Sequence, residues 1–384
     1  MTSPVPGFVA SGVACGIKQS GAPDLALIAT ADGRPVPAAA VFTTNLAPAA
    51  PVQISRAHLA ATGGYASAVI VNSGNANAAT GAAGREHAER MCALVAEGLG
   101  CRPEQVLVCS TGLIGIPLPF DAVVSGIAPL LAARTPEGFP AAAAAMMTTD
   151  LSPKDVTARG DGFVVRGIAK GAAMLAPHMA TMLALLATDA AATPEELQAA
   201  LTAGVAESFN ALSIDGATST NDTVIALAGG AAGGRPDLGD LVGGVCAELA
   251  TLMADGAEGA TKRARIRVTG AASSDDARRA ARKVAESQLV QCSLYGADPY
   301  WGRIVSELGS AGVAFDLDRL SIRYGPVEVC RAGVDAGHAH ADAKAALAGR
   351  EVEITADLGL GDGVAVVTTT DLTPEYIAEN MRTS

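Results

Sequence analysis

The stretch Ala68-Val-Ile-Val-Asn-Ser-Gly-Asn-Ala-Asn77 decides the fold class, because four apolar residues give way abruptly to small and polar ones. A short apolar run bounded by turn-forming residues predicts a buried strand. The pattern recurs at Val106-Leu-Val-Cys109, which runs into Ser110-Thr-Gly112, and residues 85–98 between the two predict a helix. Proteins of the α/β class place their chemistry at such strand ends. We therefore expect an α/β core with a functional site at the ends of these two strands.

Helix signals are clearest in the middle of the chain. Thr193-Pro-Glu-Glu196 has a threonine cap, a proline in the first turn and a glutamate placed to reach back to the cap. Apolar residues then recur at helical spacing from Leu197 to Leu212, so a helix is predicted there. The glycine-rich run at residues 227–234 lacks the Lys-Ser/Thr of a phosphate-binding loop. That run is predicted to be a connection.

The C-terminal part of the chain has a different pattern. From about Arg265 onward, apolar and polar residues alternate as in half-exposed strands. Residues 352–358 and 364–370 are separated by a short glycine-containing turn, so we expect them to pair as a hairpin. These patterns predict an α/β (α+β) protein with a catalytic core over residues 1–269 and a smaller C-terminal α+β domain over residues 270–384.

Composition and charge exclude several classes of function. The 384 residues carry a net charge of −12, and aromatic residues make up only 3%. An acidic chain poor in aromatic residues is a poor partner for nucleic acid or for an anionic membrane surface. The seven cysteines are odd in number and show no CxxC spacing, and the N-terminal residues show no secretory signal pattern. We therefore expect reduced thiols and a cytoplasmic location.

The sequence lacks the common catalytic signatures, including Walker A, HExxH and GxSxG. Its one histidine cluster, His338-Ala-His340, fits a solvated loop better than a metal site, so no metal is expected. Hydroxyl chemistry remains, and a hydroxyl nucleophile needs a base beside it. If Thr181 attacks the carbonyl of Ala180, the chain is cut and Thr181 gains an α-amino group, whose pKa near ~7.7–8.0 suits a general base. By composition alone, a threonine in such an apolar segment is usually an ordinary core residue.

Eight stretches together resemble one known family, the ornithine acetyltransferases (glutamate N-acetyltransferases of arginine biosynthesis). The longest runs from Lys170 to Leu183 and is similar to the family's self-cleavage segment. The others resemble family motifs and occur in the family's order along nearly the whole chain; they are Gly16-Ile-Lys18, Asn72–Asn77, Ser110–Gly115, Met147-Thr-Thr-Asp150, Ser219-Thr-Asn-Asp-Thr223, Glu258–Lys262 and Asp298-Pro-Tyr-Trp-Gly-Arg303.

The resemblance implies both a fold and a reaction. The fold would be a layered αββα core related to self-processing aminopeptidases of the N-terminal-nucleophile type. The precursor would be cut between Ala180 and Thr181 into α and β chains that assemble as an α2β2 heterotetramer. Thr181 would take acetyl from N2-acetylornithine as an ester and pass it to L-glutamate in a ping-pong reaction. The resemblance implies no cofactor, although some family members also accept acetyl-CoA as donor.

The resemblance also implies roles for individual residues. Thr111 and Gly112 match the oxyanion hole, where a hydroxyl and a backbone N–H can stabilise developing negative charge. The substrate-binding positions that match are Thr148, Lys170, Thr181, Glu258, Asn380 and a final ligand, which is Ser384 or Thr383. Without the resemblance, Thr111 fits an ordinary turn, Lys170 a surface lysine and Glu258 a solvated carboxylate.

Two positions depart from the family pattern, with Ala173 where the family has glycine and Tyr300 where it has asparagine. The C-terminus is also one residue short of the family ending. These departures keep open a paralogue of secondary metabolism with a different acyl acceptor. Two further alternatives are a self-processing amidase or aminopeptidase, which passes the acyl group to water, and a non-catalytic scaffold that stays uncut.

Overall fold

The computed structural model describes residues 4–174 and 182–381, which form two compact units. The described part of unit one comprises residues 4–174, 182–210 and 217–253, and that of unit two comprises residues 211–216 and 254–381. The expected cleavage point lies outside the described residues, since both Ala180 and Thr181 do.

Unit one contains ten of the described strands and six of the described α-helices. The strands are β1 (Phe8–Val13), β2 (Leu25–Thr30), β3 (Val36–Phe42), β4 (Tyr65–Ala66), β5 (Ala68–Asn75), β6 (Val106–Leu113), β7 (Lys154–Arg159), β8 (Val164–Lys170), β9 (Leu183–Thr188) and β10 (Thr223–Ala228). The helices are α1 (Ala50–Thr62), α2 (Gly81–Leu99), α3 (Phe120–Ala132), α4 (Phe139–Met146), α5 (Pro194–Ala206) and α6 (Leu238–Asp255), which ends just past the boundary of the unit.

The strands of unit one form two mixed sheets. The first has the order β1-β2-β5-β6, and the second has the order β4-β3-β10-β9-β8-β7. β5 and β6 are parallel, and so are β9 and β10. The polar residues that end β5 and β6 therefore lie at the same edge of the first sheet.

The two sheets pack face to face, with α4 filling part of the space between them and the other described helices of unit one outside. One apolar core lies between the sheets and contains Ile28 and Val71 from the first and Leu185 and Ile225 from the second. A second core lies between the other face of the first sheet and α1, α2 and α3. On the outer face of the second sheet, Gly167 of β8 lies against α6, where a Cβ would come within 2.8 Å of a leucine methyl group. The order of layers is helix, sheet, sheet, helix, and the predicted α/β class is confirmed.

Unit two is a single mixed sheet with helices. It contains β11 (Arg263–Ala271), β12 (Ser321–Tyr324), β13 (Val327–Arg331), β14 (Val334–Asp335), β15 (Glu351–Asp357) and β16 (Gly363–Thr370), in the order β14-β13-β12-β15-β11-β16. The helices are α7 (Ser274–Ala285), α8 (Gln288–Gly296), α9 (Gly302–Gly309), α10 (His340–Ala346) and α11 (Pro374–Asn380). The alternating residues Ala264, Ile266 and Val268 of β11 face a core that α7 closes.

The predicted hairpin between residues 352–358 and 364–370 is wrong. Both segments are strands, but β11 lies between them, parallel to β15 and antiparallel to β16. Because β11 belongs to this sheet, we propose that the domain boundary lies near residues 253 and 254 instead of at 269 and 270. Within the described residues, the helices are too short or too polar to cross a membrane.

Candidate active site

A network of buried amide side chains ties together the strand ends of unit one. The side chain of Asn72 donates to the carbonyl of Asn75 at 2.8 Å and accepts from the hydroxyl of Ser110 at 2.5 Å. The side chain of Asn221, just before β10, donates to the carbonyls of Ala76 and Ser110 at 2.6 and 2.8 Å. Buried amides with satisfied hydrogen bonds fix backbone geometry. The network therefore holds the ends of β5, β6 and β10 in one arrangement.

The two predicted oxyanion residues lie at the end of β6. Thr111 is 2% exposed, whereas Gly112 is open to solvent. Gly112 has φ of +130°, and a Cβ there would lie 2.3 Å from the carbonyl carbon of Gly74 and 2.5 Å from the nitrogen of Asn75. Both the backbone conformation and this close approach require glycine. The strand end therefore presents a buried hydroxyl next to an exposed peptide unit.

Lys170, the last residue of β8, reaches from the second sheet to the first. It is 3% exposed, and its Nζ donates to Oγ1 of Thr111 at 3.2 Å. An ammonium group only donates hydrogen bonds, so the threonine oxygen accepts here and keeps its own O–H for another acceptor. The positive charge beside the hydroxyl strengthens that donor. The structure thus brings three predicted site residues, Thr111, Gly112 and Lys170, together.

Asp150 links the predicted substrate residue Thr148 to the end of β8, where Lys170 lies. Its carboxylate accepts from the backbone N–H of Thr148 at 3.1 Å, from that of Gly171 at 2.8 Å and from Nζ of Lys154 at 2.5 Å. Burial acts to raise the pKa of Asp150, but the charges of Lys170 and Lys154 and the Gly171 N–H outweigh it and lower that pKa below its usual value. Asp150 is therefore an anion, and its carboxylate fixes the backbone at Thr148 and at Gly171.

The chain that follows the expected cleavage point enters the second sheet at this site. The backbone N–H of Met182 donates to Oδ1 of Asp222 at 2.9 Å, and the carbonyl of Met182 accepts from the N–H of Thr223 at 3.2 Å. The next residue, Leu183, pairs with Lys170 on one side and with Thr223 on the other. The chain that follows position 181 therefore enters the second sheet directly beside the lysine that contacts Thr111.

The other two described substrate residues meet within unit two. Nδ2 of Asn380 donates to Oε2 of Glu258 and to the carbonyl of Tyr376, both at 2.9 Å. The hydroxyl of Tyr376 donates to Asp215 at 3.1 Å. Burial, together with the carboxylates of Asp215 and Glu258, raises the pKa of Tyr376. Glu258 and Asn380 thus form one acidic cluster, while Ser384 and Thr383 lie outside the described residues.

The two departures from the family motifs are accommodated without strain. Ala173 is half-buried and is not among the described residues with positive φ, so an alanine fits that backbone. Tyr300 is 64% exposed in the turn that precedes α9. Neither side chain is needed for the contacts described above.

Three residues of these clusters were missed as functional positions by reasoning from the sequence, namely Asp150, Asn221 and Asp222. The last two stand directly before β10, whose residues are all buried. A polar pair directly before a largely apolar strand is a signal that the sequence alone offers, because a buried carboxyl group needs a compensating interaction. Among residues 4–174 and 182–381, no group of three or more histidine, cysteine or acidic side chains could hold a metal ion.

A layered α/β core whose strand ends bring together a buried lysine, a buried hydroxyl and two buried carboxyl groups is typical of an enzyme active site. The model of the ArgJ family matches residues 9–383. The chain belongs to the ArgJ family, and the resemblance predicted from its motifs is confirmed.

The chain is similar to several curated relatives and solved structures. The arginine biosynthesis bifunctional protein ArgJ of Thermobifida fusca is 44% identical over 99% of this chain and 98% of its own. The protein of the same name from Mycolicibacterium paratuberculosis is 46% identical over 99% and 95%. A crystal structure of ornithine acetyltransferase from Mycobacterium tuberculosis, complexed with ornithine, is 44% identical, covers 45% of this chain and 92% of its own, and has a TM-score of 0.43. The bifunctional protein argJ of Bacillus halodurans is 34% identical, covers 50% and 95%, and has a TM-score of 0.48.

Proposed function

We propose that this chain transfers acetyl from N2-acetylornithine to L-glutamate in arginine biosynthesis, and that acetyl-CoA serves as a second donor. The relatives are named bifunctional proteins of arginine biosynthesis, and the Mycobacterium tuberculosis enzyme is an ornithine acetyltransferase with ornithine bound. Identity of 44% along nearly the whole chain supports the same reaction here.

The observation that carries the proposal is the position of Met182. The next residue, Leu183, lies between Lys170 of β8 and Thr223 of β10, and Lys170 contacts the hydroxyl of Thr111. Residue 181 is bonded to Met182. A nucleophile at position 181 is therefore only two residues before Leu183, which pairs with Lys170. The ammonium group of Lys170 in turn lies beside the hydroxyl of Thr111 and the Gly112 peptide.

Self-cleavage comes first in this proposal. Oγ of Thr181 attacks the carbonyl carbon of Ala180, and the peptide bond becomes an ester as the amide nitrogen takes up a proton. Water then cleaves that ester, leaving a carboxylate on Ala180 and a free amine and hydroxyl on Thr181. The developing oxyanion needs donors aimed at it, and the O–H of Thr111 and the backbone N–H of Gly112 would supply them.

Acetyl transfer reuses the same groups. The α-amine of Thr181 takes the hydroxyl proton as Oγ attacks the acetyl carbonyl of acetylornithine, and the proton passes to the departing ornithine amine. The acetyl group is then held as a threonine ester until the amine of glutamate attacks it and restores the hydroxyl. An α-amine titrates near ~7.7–8.0, which suits it to accept and return a proton at neutral pH.

The remaining residues would bind substrate. Both substrates carry carboxylates, and in an acidic protein a buried lysine such as Lys170 supplies the local positive charge. Thr148, held beside Asp150, would donate its hydroxyl to the same ligand. Glu258, oriented by Asn380, would accept from the side-chain ammonium of ornithine.

The proposal extends to assembly and location. After cleavage, the α and β chains would remain together and form an α2β2 heterotetramer. We also place the enzyme in the cytoplasm, which the seven unpaired cysteines favour.

A donor and acceptor assay tests the reaction. The purified protein, incubated with acetylornithine and glutamate, should form acetylglutamate and ornithine in equal amounts, and omitting glutamate should leave acetate release far slower. Fast acetate release instead would identify a hydrolase, and transfer to another amine in preference to glutamate would identify a paralogue. Thr181→Ala should abolish both cleavage and transfer, whereas Thr181→Ser keeps the hydroxyl and should retain measurable activity.

A further inference from the structure

Asp222 is a buried acid whose surroundings suggest a role in the reaction. It is 0% exposed, and its Oδ1 accepts the backbone N–H of Met182 at 2.9 Å. Its Oδ2 is buried and, within the part of the chain that the structure describes, has no partner in hydrogen-bond geometry, although Ser219 faces the carboxyl group. A buried carboxyl oxygen without a partner is costly and so calls for an explanation.

Burial of Asp222 favours its neutral form. Burial raises the pKa of this carboxyl well above its usual value, while the Met182 N–H, the charge of Lys170 and Ser219 act against that rise without cancelling it. Asp150 differs, since two nearby lysines keep it ionised. A neutral Asp222 still accepts through Oδ1 and carries a proton on its second oxygen.

The hydrogen bond to Met182 acts on residue 181 through covalent geometry. The peptide between residues 181 and 182 is planar, so its plane contains the Cα atom of residue 181 and the N–H of Met182. Fixing that N–H restricts the directions in which residue 181 can present its hydroxyl and its amine. A second restraint comes from the Met182 carbonyl, which accepts from Thr223 at 3.2 Å.

We propose that Asp222 is a positioning residue for the nucleophile: its carboxyl group holds the Met182 amide and thereby orients Thr181 for self-cleavage and acetyl transfer. The inference rests on the function proposed above and adds a residue that the motif assignments leave without a role. It predicts that the hydrogen bond matters and that the negative charge does not.

Two substitutions separate these requirements. Asp222→Asn keeps an oxygen that accepts from Met182, so its precursor should be cut within about threefold of the wild-type rate. Asp222→Ala removes the acceptor, and cutting should slow by about tenfold to a hundredfold, the cost of a small misplacement of reacting groups. Denaturing gels of freshly synthesised protein give the rate, and turnover by the cut fraction gives kcat, which should fall in Asp222→Ala with little change in KM.

Asp189 provides the matched control at the other end of β9. It is 6% exposed and accepts the backbone N–H of Val164 at 2.8 Å. Asp189→Ala should lower Tm about as much as Asp222→Ala while leaving the cutting rate unchanged. If Asp222→Ala does not fold, Asp222→Ser, whose side chain is too short to reach the Met182 amide, takes its place.

The outcomes are separable. Equal cutting rates for wild type and Asp222→Ala, or equally slow cutting by Asp222→Asn and Asp222→Ala, would overturn the positioning role while leaving the proposed function intact. A wild-type protein that is never cut would overturn the proposed function itself. Slow cutting by Asp222→Ala alone, with normal cutting by Asp189→Ala, is the result that we expect.

Discussion

Replacing Thr111 by valine removes one hydroxyl from the candidate site and almost nothing else. Thr111 is 2% exposed, and valine has the same shape, so packing at the end of β6 is retained. The loss of one oxyanion donor typically slows acyl transfer by about 10²–10³, or roughly 2.7–4 kcal/mol of transition-state stabilisation. We expect a loss of that size in kcat/KM for acetyl transfer from acetylornithine to glutamate, together with slower self-cleavage.

The same substitution has a second, smaller effect on stability. Nζ of Lys170 loses one acceptor, which lies 3.2 Å away, and a hydrogen bond to a charged group contributes about 1.5–3 kcal/mol. Thr111→Ser restores the hydroxyl and should recover most of the rate. Thr30→Val is the control, since it removes a buried hydroxyl that donates to the Arg34 carbonyl at 2.9 Å at the other end of the sheet. A Thr111→Val enzyme within threefold of wild type would remove this hydroxyl from the mechanism.

Three further results are expected. Gly112→Ala should block self-cleavage and lower Tm, because its Cβ would lie 2.3 Å from the Gly74 carbonyl carbon at a φ of +130°; normal processing would mean that the strand end relaxes freely. Lys154→Met should lower the unfolding free energy by about 3–5 kcal/mol, because it removes the ion-pair partner of the buried Asp150 carboxylate. A loss below about 1 kcal/mol in chemical denaturation would contradict this. The pKa of Asp150 is lowered in the folded state, so its stabilisation is present above the usual value of 3.8 and lost as pH falls below it; Asp150→Asn should therefore flatten the acid limb of a stability profile.

Local patterns predicted much of the architecture. The change from apolar to polar residues after Val71 and Cys109 predicted two strands with polar ends, and the structure shows that these ends lie at one edge of the sheet. The capping box is also confirmed, with the N–H of Glu196 donating to Thr193 at 3.2 Å and the N–H of Thr193 donating back at 2.9 Å. Both features depend on neighbours in the chain, so their physical cause is visible in the sequence.

The pairing of strands that are distant in the chain could not be predicted from the sequence. Alternation in the last two long strands identified their buried faces, but it carries no information on which strand lies beside which, and β11 lies between them. The same limit applies to the site. The contact between Lys170 and Thr111 joins two sheets, and the contact between Asp222 and Met182 joins residues far apart in the chain. The family motifs predicted the first pair; only the structure shows what Asp150 and Asp222 touch.

The central claim is that a single peptide bond breaks to create the nucleophile. Intact-mass measurement of the purified protein, before and after incubation with acetylornithine alone, tests it most directly. We expect two chains, the second beginning at Thr181 and gaining the mass of one acetyl group that glutamate then removes. A single uncut chain that transfers acetyl at full rate, or an acetyl group carried elsewhere than on Thr181, would contradict the account.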